Sequence, residues 1–497
     1  MFFQQTLGRA VRLFPHATAT IDGERRQSFI QLHASTLRLA AWLASEGLCP
    51  GDRVAVLLPN SQECLELTFA CAYLGLVLVP LNFRLAAVEL DAILADCQPK
   101  ALFSHVDLPI PSYPVPVQVR VGQTALPGSS TALPDPIYEP HSILGLFYTS
   151  GTTGKPKGVI LTHLNHIANM LQCGANYQFR PGDVFLHVAP LFHMAAFQLL
   201  PPTTSHGAAQ VTLPRFDLEA LCTTIEREQV THTAMIPTML NFLTLYPALS
   251  RHNLRSLRCI MYGGSSIAPE VVARCRETLP GCQLVQGYGM TETGPIMTML
   301  QDPDHSGPRV LSCGQVVPGV ELRIVDEQGV TVQRGQRGVV HARGLSVMPG
   351  YWNKPEETAA ALRDGWMNTG DIAYEDADGY IYIVDRQKDM IITGGENVYP
   401  TEVEVALYGH PAVKEVAVVA APDQKWGELV VACVHLKPGQ SVSEEELKQF
   451  CRERLAGYKV PKRFELFAAE LPKGGTGKIL RRELRARYWQ NQERNVH

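Results

Sequence analysis

The sequence predicts an α/β protein, in which a large amino-terminal region of parallel-sheet α/β subdomains and a small β subdomain precede a small α+β carboxy-terminal domain. From about residue 50 to residue 290, short apolar runs alternate with helical patterns, which is typical of parallel sheets covered on both faces. Closely spaced strand patterns follow over residues 320–343, and a new α+β pattern begins after Arg386. A chain of 497 residues also exceeds one ordinary core.

The elements are predicted in chain order. Residues 1–14 lack the apolar core of a secretory signal, so they predict an amphipathic helix. The apolar residues 67–81 are too few to span a bilayer and predict a buried helix, whereas the proline-rich residues 106–141 predict a surface connection. The other predictions are strands at 54–58, 101–104, 184–188, 210–213 and 259–262, helices at 217–229 and 269–278, carboxy-terminal elements at 402–407, 413–420 and 430–436, and a helix with a capping box from Ser443 to Glu446.

The bulk composition narrows the possible partners. A net charge of −4 gives no basic field for nucleic acid, so we expect no nucleic-acid partner. The twelve cysteines are scattered without a CxxC pair, which predicts buried reduced thiols rather than a zinc site or a disulfide framework. We therefore expect a soluble cytoplasmic protein without an integral membrane segment, and a homo-oligomer is possible.

One loop rich in glycine, hydroxyl groups and lysine is the most informative segment. It follows the apolar residues 143–148, precedes a helix-like stretch, and reads Thr149-Ser150-Gly151-Thr152-Thr153-Gly154-Lys155-Pro156-Lys157-Gly158. Such a composition suits a backbone that wraps around nucleotide phosphates. The spacing differs from the common P-loop, because that motif places four residues between its glycines and a hydroxyl residue after the lysine. On composition alone, a solvated surface loop is an equal alternative.

Further segments decide between these alternatives, because the loop and the segments together resemble the adenylate-forming enzymes. This superfamily includes acyl-CoA synthetases (fatty-acid–CoA ligases), nonribosomal peptide adenylation domains and beetle luciferases. The segments occur in the order expected for the family: Pro190-Leu191-Phe192-His193, Tyr262-Gly263-Gly264-Ser265, Gly287-Tyr288-Gly289-Met290-Thr291-Glu292, Trp366-Met367-Asn368-Thr369-Gly370-Asp371, Asp385-Arg386-Gln387-Lys388-Asp389-Met390-Ile391, Gly394-Gly395-Glu396-Asn397-Val398-Tyr399-Pro400 and Leu471-Pro472-Lys473-Gly474-Gly475-Thr476-Gly477-Lys478-Ile479. The resemblance covers nearly the whole chain.

The resemblance implies a two-step reaction with ATP, Mg²⁺ and coenzyme A. A carboxylate attacks the α-phosphate to give an acyl-adenylate and pyrophosphate, and a thiol then takes the acyl group. Charge neutralisation is the main requirement of the first step, and Lys478 matches the lysine that bridges carboxylate and phosphate. The other implied ligands are Glu292 and Thr152 for Mg²⁺, Thr291 for phosphate, Tyr288 with Gly263, Gly264, Ser265 and Gly289 for adenine, and Asp371 with Arg386 for ribose.

The resemblance also implies a mobile carboxy-terminal domain. Residues 1–387 would carry the nucleotide and acyl sites, and residues 388–497 would rotate about Lys388 between the two steps. Gly394 and Gly395 would then line the tunnel for the pantetheine arm, where side chains would obstruct it. The hinge motif departs from many relatives in one respect, since Asp385 stands where they carry glycine.

The acyl pocket is expected beside His193, a residue that resembles the family's gate for the carboxylate. Its predicted wall comprises Phe192, His193, Met194, Ala195, Ala196 and Phe197, with residues 262–265 near the floor. No acidic residue occurs between positions 188 and 200 to pair with an amino acid's ammonium group, so an uncharged acid is favoured, with a medium-chain fatty acid first and an aryl or branched acid second.

For the thiol acceptor, Trp426 and Tyr458, with Lys459, favour coenzyme A. Loading of an acyl carrier protein, a luciferase-like oxidation and a nonenzymatic nucleotide-binding role remain alternatives.

Overall fold

A computed structural model of the chain describes residues 2–122, 126–130, 133, 139–150, 156–265, 267–474 and 477–489. The strands are β1 Thr18–Asp22, β2 Arg25–Ser28, β3 Arg53–Leu57, β4 Val77–Pro80, β5 Ala101–His105, β6 Val117–Val121, β7 Ile143–Ser150, β8 Pro156–Thr162, β9 Val184–His187, β10 Ala209–Thr212, β11 His232–Met235, β12 Cys259–Gly263, β13 Gln283–Tyr288, β14 Thr298–Leu300, β15 Gln315–Val316, β16 Val320–Val325, β17 Gly338–Gly344, β18 Leu362–Arg363, β19 Trp366–Glu375, β20 Ile381–Arg386, β21 Ile391–Thr393, β22 Glu396–Val398, β23 Val413–Asp423, β24 Gly427–Leu436 and β25 Arg463–Phe467.

Helices separate most of these strands. The α-helices are α1 Phe3–Leu13, α2 Phe29–Ser45, α3 Gln62–Leu74, α4 Ala87–Cys97, α5 His163–Tyr177, α6 Met194–Phe197, α7 Leu200–Ser205, α8 Leu218–Glu228, α9 Pro237–Thr244, α10 Pro269–Thr278, α11 Pro355–Ala361, α12 Pro400–Tyr408, α13 Glu444–Arg452 and α14 Arg481–Ala486. Short 3₁₀ helices occur at Leu249–Arg251, Thr291–Thr293, Asp302–Asp304 and Gly307–Leu311.

Two large sheets confirm the predicted α/β class. The first has the strand order β6-β5-β3-β4-β7-β8 and is parallel except for the pair β7 and β8. The second has the order β15-β14-β13-β12-β11-β9-β10-β1-β2, and its central strands from β13 to β1 are parallel. Helices cover these sheets, so their central strands are largely buried on both faces, as expected for parallel strands.

Two smaller sheets complete the architecture. Strands β16 to β20 pair antiparallel, which confirms the predicted β subdomain. After Arg386, a sheet with the order β22-β21-β24-β23 adds β25 at β24 and packs α12 and α13 on its own apolar core. This core supports the prediction of a separate carboxy-terminal domain, although the boundary at residues 387 and 388 stays a prediction.

Most local predictions match the structure. Helix α1 buries Phe3, Leu7 and Ala10 on one face, at the spacing of an amphipathic helix. The five predicted strands coincide with β3, β5, β9, β10 and β12, and the two predicted helices coincide with α8 and α10. The side chain of Ser443 caps α13 by accepting from the backbone N–H of Glu446, as its capping box predicts.

Three local predictions were wrong. Residues 67–81 do not form one helix, because Gly75 takes a positive φ of 68° and ends α3 before strand β4 begins. The surface connection at 106–141 contains strand β6, which pairs with β5. The loop after β7 leads into strand β8 rather than a helix, so it joins an antiparallel pair. Apolar runs by themselves do not distinguish a short buried strand from a helix.

Within the described residues, every helix is too short or too polar to cross a membrane. The cysteines are all free thiols, and all except Cys49 are buried, much as the sequence predicted. Burial raises the pKa of thiols such as that of Cys71, which keeps them protonated and unreactive at neutral pH.

Candidate active site

A cavity of about 700 Å³ lies where the parallel strands β11, β12 and β13 end. In open α/β sheets, the carboxyl ends of the strands are the usual place for a ligand. The turns that follow these strands contribute Ile236, Gly264 and Gly289 to the lining. The backbone of β12 at Gly263 passes close to the backbone of β13 at Gly287. A β-carbon added at Gly263 would lie only 2.2 Å from the carbonyl oxygen of Gly287. Glycine is therefore required there by space.

Cationic side chains gather at the polar part of this cavity. The cations in the lining are Lys157, Arg386, Lys388 and Lys478, and the acids in the lining are Glu292 and Glu357. The sequence predicted Lys157, Arg386 and Lys478 as phosphate or ribose ligands. It predicted Lys388 as an exposed hinge residue; the side chain is exposed, and it also borders the cavity.

Lys478 reaches the cavity from the carboxy-terminal segment. A β-carbon added at Gly264 would lie 3.2 Å from Cε and 3.5 Å from Nζ of Lys478, and one added at Gly477 would lie 2.8 Å from Cδ1 of Ile236. Nearby, Nζ of Lys473 lies 5.1 Å from the ring centroid of Phe242 on α9, a cation–π distance. Lys478 therefore lines the same cavity as Thr149 and Lys157, which lie in the described parts of the lysine-rich segment.

Desolvation and charge repulsion lower the pKa of two of the cavity lysines, Lys478 and Lys388. Burial, together with the nearby Arg386 guanidinium, lowers the pKa of Lys478 to about 8. Lys388 is exposed as a whole residue, but partial desolvation at the edge of the cavity, followed by repulsion from Arg386, lowers its pKa as well. Burial, followed by repulsion from Lys478, also lowers the pKa of His193 to about 4, so this imidazole is neutral at pH 7. Its Nδ1 accepts the backbone N–H of Ala195 at 3.2 Å.

Glu292 is the acidic residue best placed to hold a cation. It is buried, and its Oε1 accepts the hydroxyl of Tyr351 at 3.0 Å. Burial raises the pKa of this carboxyl group, against the opposing effects of its hydrogen bonds, Arg386 and Lys157. Lys157 also places Nζ 5.2 Å from the ring centroid of Tyr351.

This carboxylate fits Mg²⁺, which binds one or two protein carboxylates together with substrate phosphates and water. In the part of the chain that the structure describes, no three His, Cys, Asp or Glu side chains cluster as a complete metal site. A site completed by phosphate oxygens is consistent with that finding. The other predicted magnesium ligand, Thr152, lies outside the described residues.

The residues of the predicted ribose site, Asp371 and Arg386, form a hydrogen-bonded group with Tyr288 at the edge of the cavity. Asp371 is buried, accepts the hydroxyl of Tyr288 on Oδ2 at 2.7 Å, and accepts Nε of Arg386 on Oδ1 at 3.1 Å. Tyr288 and Asp371 are not among the residues that line the cavity, whereas their neighbours Gly287, Gly289 and Gly370 are. The stacking of Tyr288 on adenine therefore remains a prediction.

Apolar side chains line another part of the cavity, which we call the apolar end. Strands β11 to β13 contribute to it, together with buried residues of other elements. The members of this apolar end are Tyr177, Leu199, Ala234, Met261, Val285, Ile296 and Met299. The flexible methionine side chains can adapt to the shape of an apolar ligand.

The predicted acyl wall is only partly correct. His193 and Ala195 line the cavity, but Phe192, Met194, Ala196 and Phe197 do not. The short helix α6 turns Met194, Ala196 and Phe197 into the core, where the ring centroid of Phe197 lies 4.9 Å from that of Phe147. Phe192 packs edge-on against Phe83 instead. Of the predicted floor, Tyr262, Gly263 and Gly264 line the cavity, whereas Ser265 is exposed and does not.

The residues predicted for the thiol substrate lie away from the cavity. Gly394 and Gly395 form the turn between β21 and β22 with φ values of 60° and 85°, and Trp426 packs against Gly394. Trp426 is 43% exposed and Tyr458 is 41% exposed. These residues are therefore not brought to the nucleotide cavity in this conformation, and their roles remain predictions.

The remaining predicted residues divide between two groups. Thr149, Thr291 and Gly289 line the cavity. Gly151, Thr152, Thr153 and Gly154 lie outside the described residues, and so does the side chain of Ser150. Sequence reasoning missed Tyr351, Tyr177 and Gln198, since each depends on a contact between distant segments that no local pattern indicates.

Comparison of the sequence with known proteins identifies the family to which the chain belongs. Residues 7–352 match the family model described as AMP-binding enzyme, and residues 402–478 match that of its C-terminal domain. Feruloyl-CoA synthase from Amycolatopsis sp is 40% identical over 97% of this chain and 98% of its own length. The fatty acid–[acyl-carrier-protein] ligase ScoC from Streptomyces coeruleorubidus is 36% identical over 97% of this chain and 96% of its own.

Solved structures agree with these matches. The o-succinylbenzoate CoA synthetase (MenE) from Bacillus subtilis, in complex with its acyl-adenylate intermediate, has a TM-score of 0.86 at 33% identity and covers 96% of this chain and 97% of that chain. A second structure of that protein, in complex with ATP and a magnesium ion, has a TM-score of 0.87 at 32% identity and covers 96% and 98%.

We predict that Phe197→Ala lowers stability without changing acid preference. Removing a fully buried aromatic ring costs about 3–5 kcal/mol, and Phe197 contacts the core rather than the cavity. Thermal unfolding should show a lower midpoint, while the ranking of acid substrates should stay the same. A changed ranking with an unchanged midpoint would contradict this placement.

We also predict that ATP binding at pH 8.5 takes up a proton on Lys478. The free lysine has a pKa of about 8 and is mostly neutral at that pH, and nearby phosphates favour its charged form, so uptake by this lysine approaches about three-quarters of a proton. At pH 6 the lysine is already protonated and uptake should vanish. Calorimetry in two buffers of different ionisation enthalpy measures the number of protons taken up on ATP binding, and this number is compared between the wild type and Lys478→Met. Equal uptake by both proteins at pH 8.5 would refute the assignment.

Proposed function

The chain belongs to the AMP-binding enzyme family and is an AMP-forming acid–thiol ligase that uses ATP, Mg²⁺ and coenzyme A; we propose that its acid is a compact aromatic carboxylic acid and that Lys478 acts in adenylation. The observation that carries this proposal is that Lys478, Glu292 and the turns after β12 and β13 line one cavity together with a set of mostly buried apolar side chains.

In the first step, the carboxylate oxygen of the acid forms a bond to the α-phosphorus of ATP while the bond to pyrophosphate breaks. Negative charge gathers as two anions approach, so cationic side chains stabilise the transition state. Lys478 would contact the carboxylate and the α-phosphate, and Lys157 would contact the departing phosphates. Mg²⁺, when bound at Glu292, would supply further neutralisation of phosphate charge.

Asp371 and Arg386 would position the ribose. In this structure Arg386 and the hydroxyl of Tyr288 already hold both carboxylate oxygens of Asp371, which fixes the orientation of the carboxylate before a ligand arrives. His193 would stand at the entrance to the apolar end as a neutral imidazole.

In the second step, the thiol sulfur bonds to the acyl carbon, AMP leaves, and the thiol proton passes to solvent. A rotation about Lys388 would withdraw Lys478 and bring the Gly394–Gly395 turn to the cavity. The two positive φ values at this turn require glycine, and the lack of side chains would leave a path for the pantetheine arm.

An aromatic acid is favoured over the medium-chain fatty acid that the sequence suggested first. The apolar end is lined by the buried side chains of Tyr177, Leu199 and Met299, and such a packed apolar lining suits a compact ring. The relatives named for feruloyl and o-succinylbenzoate groups act, by those names, on aromatic acids. A medium-chain fatty acid is the second candidate, because ScoC is named as a fatty acid ligase.

The same relative favours one alternative acceptor, since ScoC is named for an acyl carrier protein. Both acceptors present a thiol on a flexible arm, so the adenylation residues do not distinguish them. The deciding observation is whether free coenzyme A accelerates the consumption of the acyl-adenylate.

The proposal is tested with the full chain, ATP, Mg²⁺ and a panel of aromatic, aliphatic and amino acids. Pyrophosphate release and thioester formation are measured with coenzyme A and with a carrier protein bearing the pantetheine arm. We expect aromatic acids to give the highest kcat/KM, and coenzyme A to give the thioester. Preference for an amino acid, or the absence of pyrophosphate release with every acid, would overturn the proposal.

We predict that Lys478→Ala slows adenylation by on the order of 10² to 10³, because one preorganised donor to the developing charge is lost. Attack of coenzyme A on supplied acyl-adenylate should be nearly unaffected, since Lys478 leaves the cavity for that step. Pyrophosphate release and thioester formation from synthetic acyl-adenylate measure the two steps. Equal losses in both would contradict the division of labour.

We predict that Lys388→Pro impairs thioester formation more than adenylation, because proline fixes φ at the proposed pivot. Lys388→Ala is the matched control, as it removes the side chain and leaves the backbone free. The same two half-reactions are compared in both variants. Greater damage to adenylation by the proline variant would remove the hinge assignment.

A further inference from the structure

Gln198 is a polar residue at the apolar end of the cavity. It follows α6 and lines the cavity next to Leu199, and only 6% of its surface is exposed. Its amide nitrogen donates to the carbonyl oxygen of Ala195 at 3.3 Å. Its amide oxygen, Oε1, is buried and has no hydrogen-bond partner among the described residues.

The hydrogen bond to Ala195 fixes which way the amide faces. With Nε2 held by a backbone acceptor, Oε1 is left as the free group, and an amide oxygen can accept two hydrogen bonds. A buried acceptor without a partner is unfavourable, and such groups are rare in folded proteins unless a ligand or water completes them. Because Gln198 also lines the cavity, a hydrogen-bond donor on a molecule bound there can pair with this oxygen.

We propose that Gln198 selects the acid, and that the preferred acid carries a hydroxyl or N–H group on its apolar body that donates to Oε1. This inference rests on the proposed function and adds a feature to the substrate class. A substrate that lacks the donor would leave the buried oxygen unpaired, which is how a site built for a hydrogen bond rejects such an analogue. Gln198 is a specificity-determining residue rather than a catalytic one.

A second glutamine provides a matched control. Gln172 on α5 is also 6% exposed, and its Oε1 also lacks a partner among the described residues, but it is not among the residues that line the cavity. Gln172→Met and Gln198→Met make the same chemical change in two buried glutamines. The two variants therefore separate a general effect on packing from an effect on the acid.

The experiment uses the full-length enzyme and sets of acids that differ in one group. Cinnamic and benzoic acids are compared with their hydroxyl and methoxy derivatives at each ring position, and octanoic acid with 8-hydroxyoctanoic acid. The methoxy group can accept but not donate a hydrogen bond. For at least one position, we expect the wild type to favour the hydroxyl acid over both analogues by about 10-fold to 100-fold in kcat/KM.

Gln198→Met should reduce that preference to within about 2-fold, mainly by lowering kcat/KM for the hydroxyl acid. Gln172→Met should keep it. A wild type that does not favour any hydroxyl acid, or a preference that persists in Gln198→Met, overturns this inference and leaves the proposed function intact. If Gln198→Met does not fold, the preference of the wild-type enzyme for the hydroxyl acid over its two analogues decides whether the inference holds. If no acid gives pyrophosphate, the proposed function fails, and this inference fails with it.

Discussion

Repulsion between cations that share one cavity is the constraint on which the active site depends. Lys157, Arg386, Lys388 and Lys478 line a single cavity, and repulsion from Arg386 contributes to the lowered pKa of both Lys388 and Lys478. Such an arrangement is unfavourable until an anion enters. A nucleotide triphosphate and a carboxylate supply the missing negative charge, so the same groups that repel one another in the free protein stabilise the reacting anions.

The fold keeps this arrangement in place by drawing on distant parts of the chain. Lys157 comes from a strand of the first sheet, Glu292 lies between β13 and β14 of the second sheet, and Lys478 comes from a turn after β25. The approach of Gly477 to Ile236 and of Gly264 to Lys478 shows how closely the carboxy-terminal segment meets the strand ends.

The sequence predicted the polar half of the site better than the apolar half. Short motifs contain Glu292, Asp371 and Lys478, the residues proposed for the charge chemistry, and such chemistry needs particular residue types at fixed places. The apolar end depends instead on which face of a short element turns inward. Phe197 was predicted in the acyl wall, but α6 directs its side chain into the core. The neighbouring Gln198 lines the cavity instead, and no local sequence pattern predicts that position. Composition equally could not show that a strand, β8, follows the lysine-rich loop.

The convergence of Lys478 on the nucleotide site is tested most directly by affinity labelling. The full-length enzyme is treated with two reactive nucleotides, an ATP analogue with a lysine-reactive acyl group on its terminal phosphate and an AMP analogue with the acyl group on its single phosphate. Each is used with and without excess ATP, and modified lysines are mapped by mass spectrometry. The account predicts ATP-protected labelling of Lys157 by the first analogue and of Lys478 by the second. Protected labelling of Lys157 with Lys478 never modified would show that the carboxy-terminal lysine does not share the site.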